Sequence, residues 1–241
     1  MRELDWVDNM ASPIQIYETA HKRVDDYLGL KTKGRKPDDD LRAAVFFEVA
    51  AIDVYFHAKI IKHFREKLQK DGAFPLPPAA RELIKSEVSK ELTGSEYRDL
   101  EKNQQKLVDS ATTSSTSLLL TFLEQSLKDR SFQSISDMSK AMEIMGKASQ
   151  EVWGRFDSST KLKIKKKRGV GRPEKLKVGK KIDAKVQLKS LFARRQLIAH
   201  EADIPLKGKA AGKPRGIKSK SVRTWVNASK DAIYRIDKLI V

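Results

Sequence analysis

An arginine and a histidine that could act on a phosphate lie five residues apart in this chain. Arg195, Gln196 and His200 belong to one six-residue segment. A guanidinium presents a planar fork of N–H donors that matches phosphate oxygens, and an imidazole can take or give a proton near neutral pH. The segment therefore predicts phosphate chemistry, with Arg195 holding the phosphate and His200 moving the proton.

The segment lies between the two most basic stretches of the chain. Residues 161–181 hold eleven Lys or Arg against Glu174 alone, and residues 206–220 hold six and no acid, in a chain of net charge +17. Such clusters displace the counterions of nucleic acid and steer it electrostatically, so we expect RNA or DNA to bind here; solvated linkers are the alternative. The expected nucleic-acid-binding residues are Lys163, Lys165, Lys166, Lys167, Arg168, Arg172, Lys207, Lys209, Lys213 and Arg215.

Composition removes several classes of chemistry. The 241 residues include no cysteine and only four histidines, which excludes disulfides, a catalytic thiol and thiolate metal sites and leaves little for imidazole sites. We expect no metal and no cofactor. No run of eighteen apolar residues and no signal-peptide pattern is found, so we also expect no membrane association and a cytoplasmic location.

Apolar residues at steps of three and four predict an all-α helical bundle, read as a single domain over residues 1–241. The middle of the longest helix, residues 43–56, is apolar almost all round, as in the central helix of a bundle. Basic loops at 158–181 and 205–220, the first of them an exposed, mobile insert, should flank the motif helix. Helices are predicted over Leu41–Leu68, Ala79–Leu92, Ser95–Leu127, Ile135–Phe156, from Ile182 until Pro205, and over a final segment from Val222 to Ile240.

Helical geometry places the two reactive groups on different faces. At 100° per residue, Arg195 falls on the side of Leu188 and Phe192, so it should point towards packed structure. A buried guanidinium needs an anion or an acidic partner. His200 lies about 140° further round, so the two groups converge only if the helix frays or if a second subunit contributes its own pair.

Two acids of the central helix could support Arg195. Glu48 and Asp53 are candidate salt-bridge partners, and either could instead be an ordinary buried polar residue. Asp53 also lies four residues before His57, a spacing at which the two side chains could form a hydrogen-bonded pair. The sequence leaves open whether Asp53 orients Arg195.

The segment from Arg195 to His200 consists of an Arg, a polar residue, three mostly apolar residues and a His. It lies near the end of the penultimate predicted helix of an all-α bundle. In sequence and in position it resembles the motif of the HEPN superfamily. The long helix Leu41–Leu68 resembles the first core helix of that superfamily. Many HEPN proteins are metal-independent RNases of bacterial defence and toxin–antitoxin systems. The resemblance implies Arg195, Gln196 and His200 as active residues, with Arg194 as the adjacent alternative, although Gln196 stands where Asn is frequent. It also implies a homodimer whose two motifs meet in one cleft.

The expected function is therefore an endoribonuclease that leaves a 2′,3′-cyclic phosphate and a 5′-hydroxyl. Two alternatives remain at the level of sequence. One is a non-catalytic helical module that binds nucleic acid through the basic loops. The other is an interaction protein whose basic face is covered by an acidic partner, such as an antitoxin protein.

Overall fold

The computed structural model describes residues 11–29, 38–71, 75–91, 116–157, 183–201 and 216–240. Most of these residues are helical and none of them forms a strand, which confirms the all-α prediction. Within this described part, no helix is long and apolar enough to cross a membrane. The helices are α1 Pro13–Leu28, α2 Asp38–Asp71, α3 Pro78–Glu91, α4 Thr116–Lys128, α5 Ile135–Ile144, α6 Ser149–Asp157, α7 Ala184–Glu201 and α8 Ser219–Leu239.

Helix α2 is the centre of the bundle, as its apolar middle predicts. It has 34 residues, about 50 Å at 1.5 Å per residue, and packs against α1, α4, α5, α7 and α8. Because neighbours surround it, its buried residues occupy most of its circumference. They are Leu41, Ala44, Val45, Glu48, Val49, Ala51, Ile52, Tyr55, Phe56, Ile60, Phe64 and Leu68.

Helix α1 is not among the predicted helices, although its start carries a recognisable signal. The Ser12 hydroxyl accepts the N–H of Gln15, and the Gln15 side chain accepts the N–H of Ser12 at 2.7 Å. This reciprocal cap, with Pro13 as the first helical residue, satisfies donors that a helix start otherwise leaves open. At the other end, Gly29 adopts φ 57°, a left-handed conformation that glycine reaches without strain.

A buried carboxylate joins α1, α2 and α8. Glu48 is fully buried, and its Oε1 accepts the hydroxyl of Tyr17 at 2.8 Å and that of Ser229. Its Oε2 lies 2.7 Å from Nδ1 of His21. Burial, followed by the charge of Glu48, raises the pKa of Tyr17 well above its usual value, so that hydroxyl stays protonated and donates. These contacts offset the cost of burying the charge and fix how α2 is rotated against its neighbours.

The single helix predicted over Ile135–Phe156 is wrong, because the chain forms α5 and α6 with a break between them. Gly146 adopts φ 73° and its N–H binds the carbonyl of Glu143 at 2.9 Å. The N–H of Lys147 binds the carbonyl of Met142 at 2.9 Å, so the two bonds close α5. A Cβ on Gly146 would lie 3.1 Å from Cγ of Pro77, which makes a larger residue unfavourable at this turn.

Other predicted elements coincide with described helices only in part. Helix α3 confirms the helix predicted near 79–92, and α4 matches only the end of the helix predicted over 95–127, because residues 92–115 lie outside the described part. The first basic loop, 158–181, also lies outside it. Of the second, 205–220, only residues 216–220 are described, where they lead into α8.

We expect Glu48→Ala to lower the free energy of unfolding by about 3–5 kcal/mol, because three donors would then be buried without their acceptor. Glu48→Gln should cost about 1–3 kcal/mol, since the amide presents its own N–H groups to donors. Urea unfolding followed by circular dichroism measures both. The control is Glu66→Gln, which removes an exposed pair with Lys62 on the same helix and should change stability by less than about 0.5 kcal/mol. If Glu48→Ala and this control have equal free energies of unfolding, Glu48 does not hold α1, α2 and α8 together.

Candidate functional site

Helix α7 carries the segment with the predicted chemistry. The helix starts after Asp183, whose carboxylate accepts the N–H of Lys185 at 2.9 Å. Spacings of four, seven and eight residues put its buried positions on one face, while the described side chains at 193–199 are half-buried or exposed. The last turns of α7 therefore extend beyond the core. The buried positions are Ala184, Leu188, Leu191 and Phe192.

Arg195 is held by an aromatic ring. Its Cζ lies 5.0 Å from the centroid of the Phe46 ring, and Phe46 remains 39% exposed. Among the described residues, no ion pair involves Arg195. A ring face attracts a cation without cancelling its charge, an interaction that contributes about 0.5–1 kcal/mol at exposed sites. The ring thus orients the guanidinium without neutralising its charge.

The two acids considered as partners of Arg195 bind elsewhere. Glu48 is occupied by donors from α1 and α8, as described above. The Oδ1 of Asp53 accepts the backbone N–H of Phe132, in the segment between α4 and α5. The structure therefore brings neither carboxylate to Arg195, because each satisfies donors of another element.

His57 is bound through main-chain atoms. Its Nδ1 lies 2.9 Å from the carbonyl oxygen of Asp53, and its Nε2 lies 3.0 Å from that of Leu127. The Asp53 carboxylate is 4.0 Å from Nδ1, beyond hydrogen-bonding distance. The side-chain pair considered from the sequence is thus replaced by a contact that ties α2 to the end of α4.

The other residues of the motif lie along the last turns of α7. Gln196 is exposed and Arg194 is half-buried. His200 is a residue of α7, one position before its end, and its side chain lies outside the described part. All ten Lys and Arg predicted to bind nucleic acid, in 163–172 and 207–215, also lie outside it.

A second arginine covers the neighbouring phenylalanine on α2. The Cζ of Arg23, on α1, lies 5.8 Å from the centroid of the Phe47 ring. Tyr27 stacks on the same ring at 5.3 Å between centroids and 12° between planes. These contacts join helices that are distant in sequence. The two basic stretches contain no aromatic residue, so neither stretch indicates that arginines would lie over aromatic rings. The Phe46-Phe47 pair is not a signal by itself, because adjacent residues of this central helix, such as Tyr55 and Phe56, can both be buried.

Two contacts join helix ends in pairs, α2 with α7 and α1 with α8. Phe46 and Arg195 bring the start of α2 to the end of α7, and Arg223 of α8 donates to the carbonyl of Leu28 at the end of α1 at 2.8 Å. The connecting segments 30–37 and 202–215 lie outside the described part, and each contains four Lys or Arg. Basic sequence is therefore attached to these helix ends. The basic residues of segment 30–37 are not among the predicted nucleic-acid-binding residues.

A groove of about 500 Å³ lies between α1, α2 and α4. Its charged residues pair with one another, Arg65 with Glu124 at 2.8 Å and Lys62 with Glu66 at 3.4 Å. Among the described residues, its lining includes none of the motif. His57, which lines the groove, lies eleven residues along α2 from Phe46, about 16 Å at 1.5 Å per residue. Arg195 is thus separate from this groove.

Comparison with protein-family models, with curated proteins and with solved structures finds no match for this chain. Functional assignment therefore depends on the residues of the chain and their geometry.

We predict that Phe46 and Arg195 are energetically coupled. In a double-mutant cycle with Phe46→Leu and Arg195→Met, urea unfolding should give a coupling free energy of about 0.5–1 kcal/mol, the contribution of an exposed cation–π pair. The same cycle made with Phe46→Leu and Arg155→Met, an exposed arginine of α6, should give none. A coupling of zero for Phe46 and Arg195 would show that the ring does not hold the guanidinium.

Proposed function

We propose that the protein is a metal-independent endoribonuclease of HEPN type, with Arg195, Gln196 and His200 as its active residues. The observation that supports this most strongly is the guanidinium of Arg195, oriented by the Phe46 ring and without a carboxylate partner among the described residues. A phosphate is the anion that best matches the fork of donors on such a group.

The reaction follows from the chemistry of these side chains. The 2′-oxygen of a ribose attacks the adjacent phosphorus and the bond from phosphorus to the 5′-oxygen breaks. His200 takes the proton of the 2′-hydroxyl or gives one to the leaving 5′-oxygen. Arg195 stabilises the charge on the pentavalent phosphorus, and exposed Gln196 can orient a neighbouring group by hydrogen bonds. The products are a 2′,3′-cyclic phosphate and a 5′-hydroxyl.

The charge of the chain favours RNA as its substrate. The basic stretch 161–181 precedes α7 in sequence and the stretch 206–220 follows it, so both are tethered to the helix that carries Arg195. Opposite charge raises the encounter rate and supplies salt-dependent affinity. A non-catalytic module that binds nucleic acid is the second candidate, because the net charge of +17 supports binding whether or not His200 acts.

A homodimer would complete the site. Arg195 and His200 lie about 140° apart around α7, so one straight helix does not present both groups on one face, whereas a second copy can supply the missing one. Helices α2 and α7 pack together and expose Val54 and Val186 at 45% and 50%. Exposed apolar side chains of this kind are suited to a subunit contact.

The biological role proposed with this activity is that of a cytoplasmic effector in bacterial defence or in a toxin–antitoxin pair. An RNase acting on cellular RNA must be held inactive, and an acidic antitoxin protein could cover the basic stretches for that purpose. The charge of the chain supports such a partner, because complementary charges speed and direct association.

We predict that the purified protein cuts RNA in the presence of EDTA and leaves 2′,3′-cyclic phosphate ends. His200→Ala should lower the rate about 100- to 10,000-fold, and Arg195→Ala about 100- to 1,000-fold. End mapping after incubation with total RNA measures both the rate and the chemistry.

The matched control for this experiment is Arg155→Ala, which removes an exposed arginine paired with Glu151 on α6 and should cut like the wild type. Intact RNA that is nevertheless bound in a salt-sensitive way would favour the binding module. Cleavage that requires a divalent metal, or that survives His200→Ala, would contradict the proposal.

We predict that the wild type sediments at twice its chain mass of 27.3 kDa. Replacing Val54 and Val186 together with Glu should give a monomer, because the paired copies would bury like charges against each other. Cleavage should fall with dimer content. Gln150→Glu adds the same charge to an exposed position of α6 and should leave the dimer intact. A wild type that is monomeric and active would rule out a site shared between two copies.

A further inference from the structure

Two adjacent phenylalanines of α2 each have an arginine over the ring, and the two arginines come from different helices. Phe46 is covered by Arg195 of α7 at 5.0 Å and Phe47 by Arg23 of α1 at 5.8 Å. Tyr27 extends the second stack, nearly parallel to Phe47. The end of the bundle that holds Arg195 thus presents alternating aromatic rings and guanidinium groups.

These rings are not explained by core packing alone. Phe46 is the most exposed phenylalanine that the described residues contain, at 39%, whereas Phe56 and Phe64 on the same helix are fully buried. Phe47 is half-buried and packs at the edge of the core. Exposing an aromatic ring to water costs free energy that a flat partner would recover.

We propose that exposed Phe46 and Arg195, with Arg23 over the neighbouring Phe47, form a stacking surface for unpaired RNA bases beside the phosphate that is cut. The inference rests on the proposed function and adds the residues that hold the bases next to the cut. Aromatic and guanidinium planes bind unpaired bases by stacking, without sequence preference. Bases within a duplex are already stacked and paired, and cannot reach such a surface.

The charges around Phe46 and Phe47 favour an RNA strand that crosses α2 at these residues. Asp38, Asp39 and Asp40 form the first turn of α2, and Arg42 pairs with Asp39 at 2.7 Å. These acids repel phosphates from the first turn, whereas Arg23 and Arg195 attract them at the third turn, beside Phe46 and Phe47. The strand should therefore cross α2 at Phe46 and Phe47, between α1 and α7, and stay away from the helix start.

The test measures coupling between one protein ring and one RNA base. In a His200→Ala background, which keeps the RNA intact, the affinity for a fluorescent single-stranded RNA is measured by anisotropy with and without Phe46→Leu. The same RNA is also made with a single abasic position at each nucleotide in turn. Phe46→Leu should weaken binding about 5- to 150-fold, the effect of losing one stacked base. One abasic position should weaken binding to Phe46 protein and have no further effect on the Leu variant.

Matched variants separate stacking by the ring from a general effect of removing a phenylalanine. Phe46→Tyr keeps the ring and should bind nearly as tightly as the parent. Phe122→Leu makes the same change on α4, away from this surface, and should have no effect. A perfectly paired duplex of the same sequence should bind more weakly than the single strand and be cut more slowly by the protein with His200 in place.

The possible results distinguish the inference from the proposed function. If the RNA is cut as predicted but binds equally well with and without Phe46→Leu, or shows no coupling between Phe46 and any base, the stacking surface is wrong. The proposed nuclease activity is then still supported. Coupling without any cleavage supports the surface and rejects the nuclease. If Phe46→Leu changes the sedimenting mass and leaves the RNA affinity unchanged, Phe46 belongs to a subunit contact and the inference is overturned. The absence of any RNA binding would overturn it as well.

Discussion

The arrangement of this bundle depends on one buried carboxylate. Glu48 accepts hydrogen bonds from α1 and α8 with no exposure to water, and an ion that is buried in this way must keep its donors. Helix α2 is therefore held in one rotation. With Glu48 held between α1 and α8, Phe47 lies about 100° from it around α2, on the side of α1, and Phe46 lies about 100° further round, beside Arg195 of α7. The positions of exposed Phe46 and half-buried Phe47 are thus linked to the hydrogen bonds of Glu48, which neither ring contacts.

The rotation of α2 also determines which side chain contacts Arg195. An arginine beside a carboxylate is oriented and neutralised at once, whereas an arginine over a ring is oriented and keeps its charge. Arg195 is of the second kind. Had Glu48 or Asp53 reached it, as the sequence allowed, its charge would have been neutralised. Their contacts with Tyr17, His21, Ser229 and Phe132 keep both carboxylates away from Arg195.

Strong helical periodicity made the fold class and several helices predictable. Helices α2, α3, α7 and α8 follow the apolar spacing, because their buried faces are long. Helix α1 begins with a cap whose signal is only a few residues, and the break at Gly146 depends on one left-handed residue inside an otherwise periodic stretch. Arg195 could be singled out in the sequence by its spacing from His200 and by the basic stretches on both sides. Its partner Phe46 could not be singled out, since the two residues are far apart in the chain and the contact exists only after α7 packs on α2.

The most direct test of Arg195 is the NMR resonance of its Nε–H group, assigned with the Arg195→Lys variant. In the free protein we predict an upfield ring-current shift that disappears in Phe46→Leu. Addition of an uncleavable 2′-O-methyl single-stranded RNA should then move this resonance, while that of Arg155 stays in place. A resonance at the ordinary arginine position in the free protein, or one that does not respond to the RNA, would contradict an arginine held by a ring and open to phosphate.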